Sequence, residues 1–142
     1  MTLLLVHTAV TLVNVGVIWI VQVVHYPLFA HVGAPAWPGY HAEHLRRISR
    51  VVGPTMLLEA ATAVALLVMP PDGVGRALPA AGLVGVALVW GSTWLVQVPG
   101  HRRLAGGFDA AVHARLVAGN RFRTAVWTLR GLLVLAMVAR AA

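Results

Sequence analysis

Apolar residues run almost unbroken through four stretches, Leu3 to about Val24, Val51 to Met69, Leu78 to Val98 and Thr124 to Ala141. At about 1.5 Å of rise per residue, each is long enough to cross roughly 30 Å of hydrocarbon as a helix. The polar residues that interrupt these runs are ordered. Projected at about 100° per residue, His7, Thr11, Asn14, Gln22 and His25 fall in one sector of the first span, opposite Val, Leu and Ile. His41, His44, Thr55, Glu59 and Thr62 share a sector of the second span once it is extended backward through Pro54, a residue expected to kink it. The third span contributes Trp90, Thr93 and Gln97, and the fourth element His113, Asn120, Thr124, Trp127 and Gly131. Lipid offers polar groups no partners, so four such stripes must face one another. The pattern predicts an all-α, integral membrane four-helix bundle in up-down order, with residues 1–142 as one domain. Short amphipathic interfacial helices are expected around 38–50 and 108–122.

Composition agrees: 59% hydrophobic residues, 11% charged residues and a mean hydropathy of +0.81 belong to a membrane protein. The net charge of +7 comes from eleven arginines against four acids. In a soluble chain it would suggest nucleic acid; in this one it reads as topology. Arg46, Arg47 and Arg50 follow the first span and Arg102, Arg103, Arg115, Arg121 and Arg123 follow the third, whereas the loop between spans two and three offers Arg76 alone. The positive-inside rule then makes both long loops cytoplasmic and puts both termini outside, in what is expected to be a bacterial inner membrane. MTLLLVHTAV has no basic n-region and reads as a retained span. Absence of cysteine excludes disulfides and thiolate chemistry, leaving His, Glu, Asp, Tyr, Met and backbone.

The chain also repeats itself. Trp19-x-x-Gln22 recurs as Trp94-x-x-Gln97, His25 is echoed by His101, and His44-x-Arg46 by His113-x-Arg115. This predicts two parallel two-span repeats, residues 1–70 and 76–142, about an axis along the membrane normal. The two WxxQ segments become equivalent wall positions facing each other across the bundle.

Two groups of residues point to chemistry. Glu59 is the one acid inside a span and Arg130 the one base well inside a span, and neither is tolerable alone in hydrocarbon. They either pair, or Glu59 serves a histidine cluster as catalytic proton carrier or ligand. The second group is the seven histidines, of which His25, His31, His41, His44 and His101 flank the arginine-rich mouth. His41 and His44 share a helical face, and His25 and His101 each sit where an apolar span ends. Neutral imidazoles ligate iron, copper or zinc, and a facing His25–His101 pair would also suit a b-type haem. Trp19, Gln22, Trp94 and Gln97 then wall the cofactor, and Arg123 holds a propionate or an anionic substrate head.

At "HYPLF" (25–29), "QVPGH" (97–101) and "NRFRTAVWTLR" (120–130), the chain resembles a family of small four-helix bacterial integral membrane proteins with no assigned activity. More distantly, its size, four spans and the N-x-x-R-T before the last span resemble anthrone-oxygenase-like membrane proteins. That resemblance implies oxygenation of lipophilic aromatic substrates. The histidine boxes of membrane desaturases are a poorer comparison, since this chain has one HxxH and no HxxHH.

Together these readings lead to a small integral-membrane redox protein or oxidoreductase, with a histidine-ligated metal or haem near the cytoplasmic interface and a lipophilic small-molecule substrate. A proton-coupled or cation carrier and a non-catalytic assembly partner are the alternatives. Membrane lipids are expected partners, oligomerisation is compatible with the pattern, and nucleic acid is not expected.

Overall fold

A computed structural model describes residues 1–142. Four helices account for almost all of them: α1 Thr2–His31, α2 Trp37–Val68, α3 Ala77–Leu104 and α4 Ala110–Ala141, each long and apolar enough to span a membrane. The chain is an all-helical membrane-type four-helix bundle without strands. α1 and α3 each pack against both α2 and α4, and so stand diagonally across the bundle axis.

The amphipathic segments expected as separate interfacial helices are continuous with the spans that follow them. α2 runs unbroken through Pro54, and α4 starts at its Asp109 cap, whose carboxylate accepts from the Val112 N–H at 2.9 Å. A helix of 32 residues is about 48 Å long, well beyond roughly 30 Å of hydrocarbon. The physical reason is that nothing between Trp37 and Val51 or between Ala110 and Thr124 stops a helix, so each polar segment extends its span as a stalk.

The core is built in three tiers. Leu4, Leu66, Val74, Val134 and Met137 fill the end that carries the termini. Ile18, Met56, Val89 and Trp127 fill the middle. Val21, Tyr26, Phe29, Trp37, Leu104 and Leu116 fill the arginine-rich end. Glycines set the approach of α3 to α4: a Cβ at Gly85 would lie 2.9 Å from the Arg130 side chain, and one at Gly100 2.9 Å from Leu116.

α1 and α3 share an irregularity. Residues Val21–His25 and Thr93–Gln97 are π-helical, and a proline, Pro27 or Pro99, follows each of them. Proline donates no N–H and its ring collides with the carbonyl four residues back, so a widened turn accommodates it. Aligned on these turns, His25 corresponds to Gln97, and Gln22 to Trp94. The register common to the two halves is therefore that of the prolines, and differs from the one suggested by the two WxxQ segments.

Candidate functional site: an imidazole cluster above a lipophilic cavity

At mid-depth, Glu59 is the acceptor at the centre of a closed network. It accepts from Asn14 Nδ2 at 3.1 Å, from Trp127 Nε1 at 3.0 Å and from Arg130 Nη2 at 3.1 Å. Arg130 also donates to the carbonyl of Gly82, which lacks a side chain to keep it away. Glu59 and Arg130 are 1% and 3% exposed. The expected pairing is present. The alternative role for Glu59, as catalytic proton carrier beneath the histidines, does not fit this geometry, because its carboxylate oxygens are already committed to a cation and two neutral donors. His7 belongs to the same tier: Thr62 Oγ1 donates to the Leu58 carbonyl and is left to accept from His7 Nδ1–H at 2.8 Å.

Toward the arginine-rich end, the π-turns deliver a second polar group to the interior. His25 Nε2 and His44 Nδ1 are 2.6 Å apart, and His41 Nε2 and His101 Nδ1 3.1 Å apart. Tyr26 extends the second pair. Its hydroxyl donates to Gln97 Oε1 at 3.1 Å and lies 3.0 Å from His101 Nε2. Gln97 Nε2 in turn donates to the Leu116 carbonyl. With the Tyr26 proton given to Gln97, His101 must donate from Nε2 and accept at Nδ1 from His41, so the chain from His41 to Leu116 has one consistent direction. Stacking holds the rings: Trp37 lies 5.2 Å from His41 at 25°, and Phe29 lies edge-on to His44 at 5.0 Å. His113 Nε2–H donates to the Tyr26 carbonyl, fixing the end of α1 to α4.

A cavity of about 390 Å³ lies beneath this cluster. Val17, Ile18, Val21, Ile48, Val52 and Val98 form much of its wall, while Tyr26, His44, Gln97, His101 and Arg123 line it with polar groups. Trp127 and Asn14 belong both to its lining and to the Glu59 network. Its volume lies within the roughly 300–1,000 Å³ of small-molecule sites. Two buried nitrogens of its lining residues, His44 Nε2 and Arg123 Nε, have no hydrogen-bond partner. Arg123 is 6% exposed, donates from Nη1 to Asn120 Oδ1 at 3.2 Å, lies over the Trp127 ring at 5.1 Å and makes no ion pair. His25 faces a separate shallow groove with Arg47 and Val51, so the His25–His44 pair links that groove to the cavity.

The four histidines named as metal ligands, His25, His41, His44 and His101, are thus brought together, but as two hydrogen-bonded pairs. No group of three or more His, Cys, Asp or Glu side chains is arranged to hold a metal ion. A haem between His25 and His101 does not fit either. His44 stands between them, with ring centroids 4.6 Å from His25 and 5.6 Å from His101, which leaves no slot for a macrocycle. Gln97 reaches the cluster. Gln22 does not: it accepts from Asn120 Nδ2 at 2.9 Å and so braces the partner of Arg123. Trp19 and Trp94, expected as walls, are 47% and 58% exposed on outer faces. Trp19 donates to Thr128 Oγ1 from the outside of the bundle. Indole suits such a lipid-facing position, being apolar with one polar edge.

Tyr26, Asn120 and Trp127 are the site residues that residue-by-residue reading passed over. The signal for Tyr26 was its place between His25 and Pro27, where the π-turn ends. Comparison with protein-family models, with curated proteins and with solved structures finds no match for this chain.

Proposed function

We propose that the protein binds a lipophilic molecule with an oxygen head group and exchanges protons with that head through His44 and His101. This is the proton-handling part of oxidoreductase chemistry on a substrate dissolved in the membrane. The observation that carries the reading is the cavity: apolar walls from the bundle, with two imidazoles, a phenol and an amide gathered at one end.

The paired imidazoles suit proton transfer better than ligation. When His44 donates from Nδ1 to His25, its buried Nε2 carries a free lone pair and acts as a base. A proton taken up at Nε2 is matched by release of the Nδ1 proton to His25 Nε2, and His25 passes its own Nδ1 proton to the outer groove. In the opposite tautomer the same pair delivers a proton to the cavity. His101 has a comparable relation to Tyr26 and His41. Carriage through the bundle is less well supported, since the Asn14–Glu59–Trp127–Arg130 network and the apolar tier at the terminal end close the path beyond the cavity.

An alkyl nitrophenol, whose absorbance reports its protonation, tests this in reconstituted protein. Saturable binding with a shifted titration is expected, and His44→Phe and His101→Phe should weaken the shift. An unchanged shift in both variants would remove the imidazoles from the reaction. Stoichiometric metal that is lost on His25→Ala or His44→Ala would replace proton transfer by ligation.

A further inference from the structure

We infer that the head group is a singly charged, planar oxyanion, a carboxylate or a phenolate on an apolar body, and that Arg123 holds it. The inference rests on the reading of the cavity given above and names the class of molecule that enters it.

The argument is one of charge. A guanidinium removed from water needs a counter-charge or a full set of acceptors, and an unpaired buried cation is among the costliest features a fold can carry. Arg123 is buried, donates one hydrogen bond to a neutral amide and has no carboxylate within ion-pair range. Its Nε–H has no acceptor. Nor is this cation loosely placed. Gln22 accepts from Asn120, and Asn120 accepts from Arg123, so two amides fix the guanidinium from one side while Trp127 lies against it. A side chain oriented this carefully beside a cavity, with donors to spare, is arranged to meet an acceptor that the chain itself does not provide. A planar guanidinium is best matched by a planar oxyanion accepting from two of its N–H groups.

The same arithmetic limits the charge. Arg123 is the one buried arginine lining the cavity, and Arg102 at its margin is exposed. One negative charge is neutralised there; a phosphate dianion would bring the same problem with the opposite sign. A neutral head would leave Arg123 as it is. The imidazoles fit this assignment, because His44 Nε2–H in its donor tautomer gives the oxyanion a second hydrogen bond.

The test uses full-length protein in nanodiscs of uncharged phosphatidylcholine, with binding followed by the fluorescence of Trp127 against a Trp127→Phe control. The probes share comparable apolar chains and differ in head: dodecanoate, an ionised alkylphenol, dodecanol and dodecyl phosphate. Dodecanoate, the phenolate or both should bind about tenfold or more tighter than dodecanol, the factor expected of a charge-assisted hydrogen bond. Whichever of the two is tighter identifies the head. Arg123→Gln should lower that affinity to the level of dodecanol while leaving dodecanol unchanged, which also shows that the cavity has survived. If Arg123→Gln loses dodecanol as well, Arg123→Lys decides: a retained preference for the anion supports the inference, and a lost preference with dodecanol retained overturns it. Equal binding of acid and alcohol by the wild type, or tightest binding of dodecyl phosphate, would overturn the charge assignment and leave the cavity reading intact. Failure of every probe to bind would instead remove the cavity reading beneath it.

Discussion

Arg123 and Arg130 lie about two turns apart on one helix, α4, both buried, and the fold treats them in opposite ways. Arg130 is enclosed. Its donors meet the Glu59 carboxylate and the Gly82 carbonyl, and glycines at 82 and 85 make room for its stem. Arg123 is held in place but left open, with neutral partners, an aromatic face and a cavity. Charge inside a membrane therefore serves two ends in this protein. A paired charge closes the bundle and fixes the register of its helices; an unpaired one marks where a second molecule completes the arrangement.

The comparison breaks most visibly through Glu59. Glu59→Gln leaves Arg130 buried without its counter-charge and should cost about 3–5 kcal/mol, read as a large fall in the thermal midpoint of the detergent-solubilised protein. Gly85→Leu should cost about 1–3 kcal/mol by pushing Arg130 off its partners, since even a Cβ there sits 2.9 Å from its stem. Gly91→Ala serves as the matched control, because nothing lies within 4 Å of its would-be Cβ, and that variant should unfold like the parent. Tyr26→Phe removes one hydroxyl from the chain between His101 and Gln97 and should cost about 1 kcal/mol in stability, while clearly altering proton exchange with a bound nitrophenol. The smallest effect sharpens the contrast best. Arg123→Met, which replaces an unpaired buried cation with an apolar side chain of similar length, should leave stability unchanged or raise it slightly. A loss as large as that of Glu59→Gln would mean that Arg123 is structural after all.

Much of this was legible from the sequence, and the reasons differ by residue. The four spans follow from hydropathy, because the requirement to satisfy backbone groups in lipid leaves few options. The Glu59–Arg130 pair follows from the same constraint, as two charges with no other escape. The histidines gather as their place at the span ends suggests. The rotational register was hidden. A helical projection assumes about 100° per residue throughout, and the π-turns at Val21–His25 and Thr93–Gln97 break that assumption just before the residues that matter. Gln22 and Gln97 therefore have different partners, and Trp19 and Trp94 face outward although they sit in matching words of sequence. Four histidines close together also resemble a ligand set in sequence; only the geometry shows that their nitrogens answer one another in pairs.

A π-turn is equivalent to one residue inserted into an α-helix. Each of the two turns is thus a single-codon event preserved in the fold, and removing one residue from Val21–His25 would restore the regular spiral and swing everything beyond it by about 100°. His25 and Tyr26 would leave the interior together, while the span kept its length within one residue and its apolar character almost entirely. Two chains of this kind with nearly the same hydropathy profile can therefore differ in whether they possess the site at all, and the difference would appear in an alignment as one gap ahead of a proline.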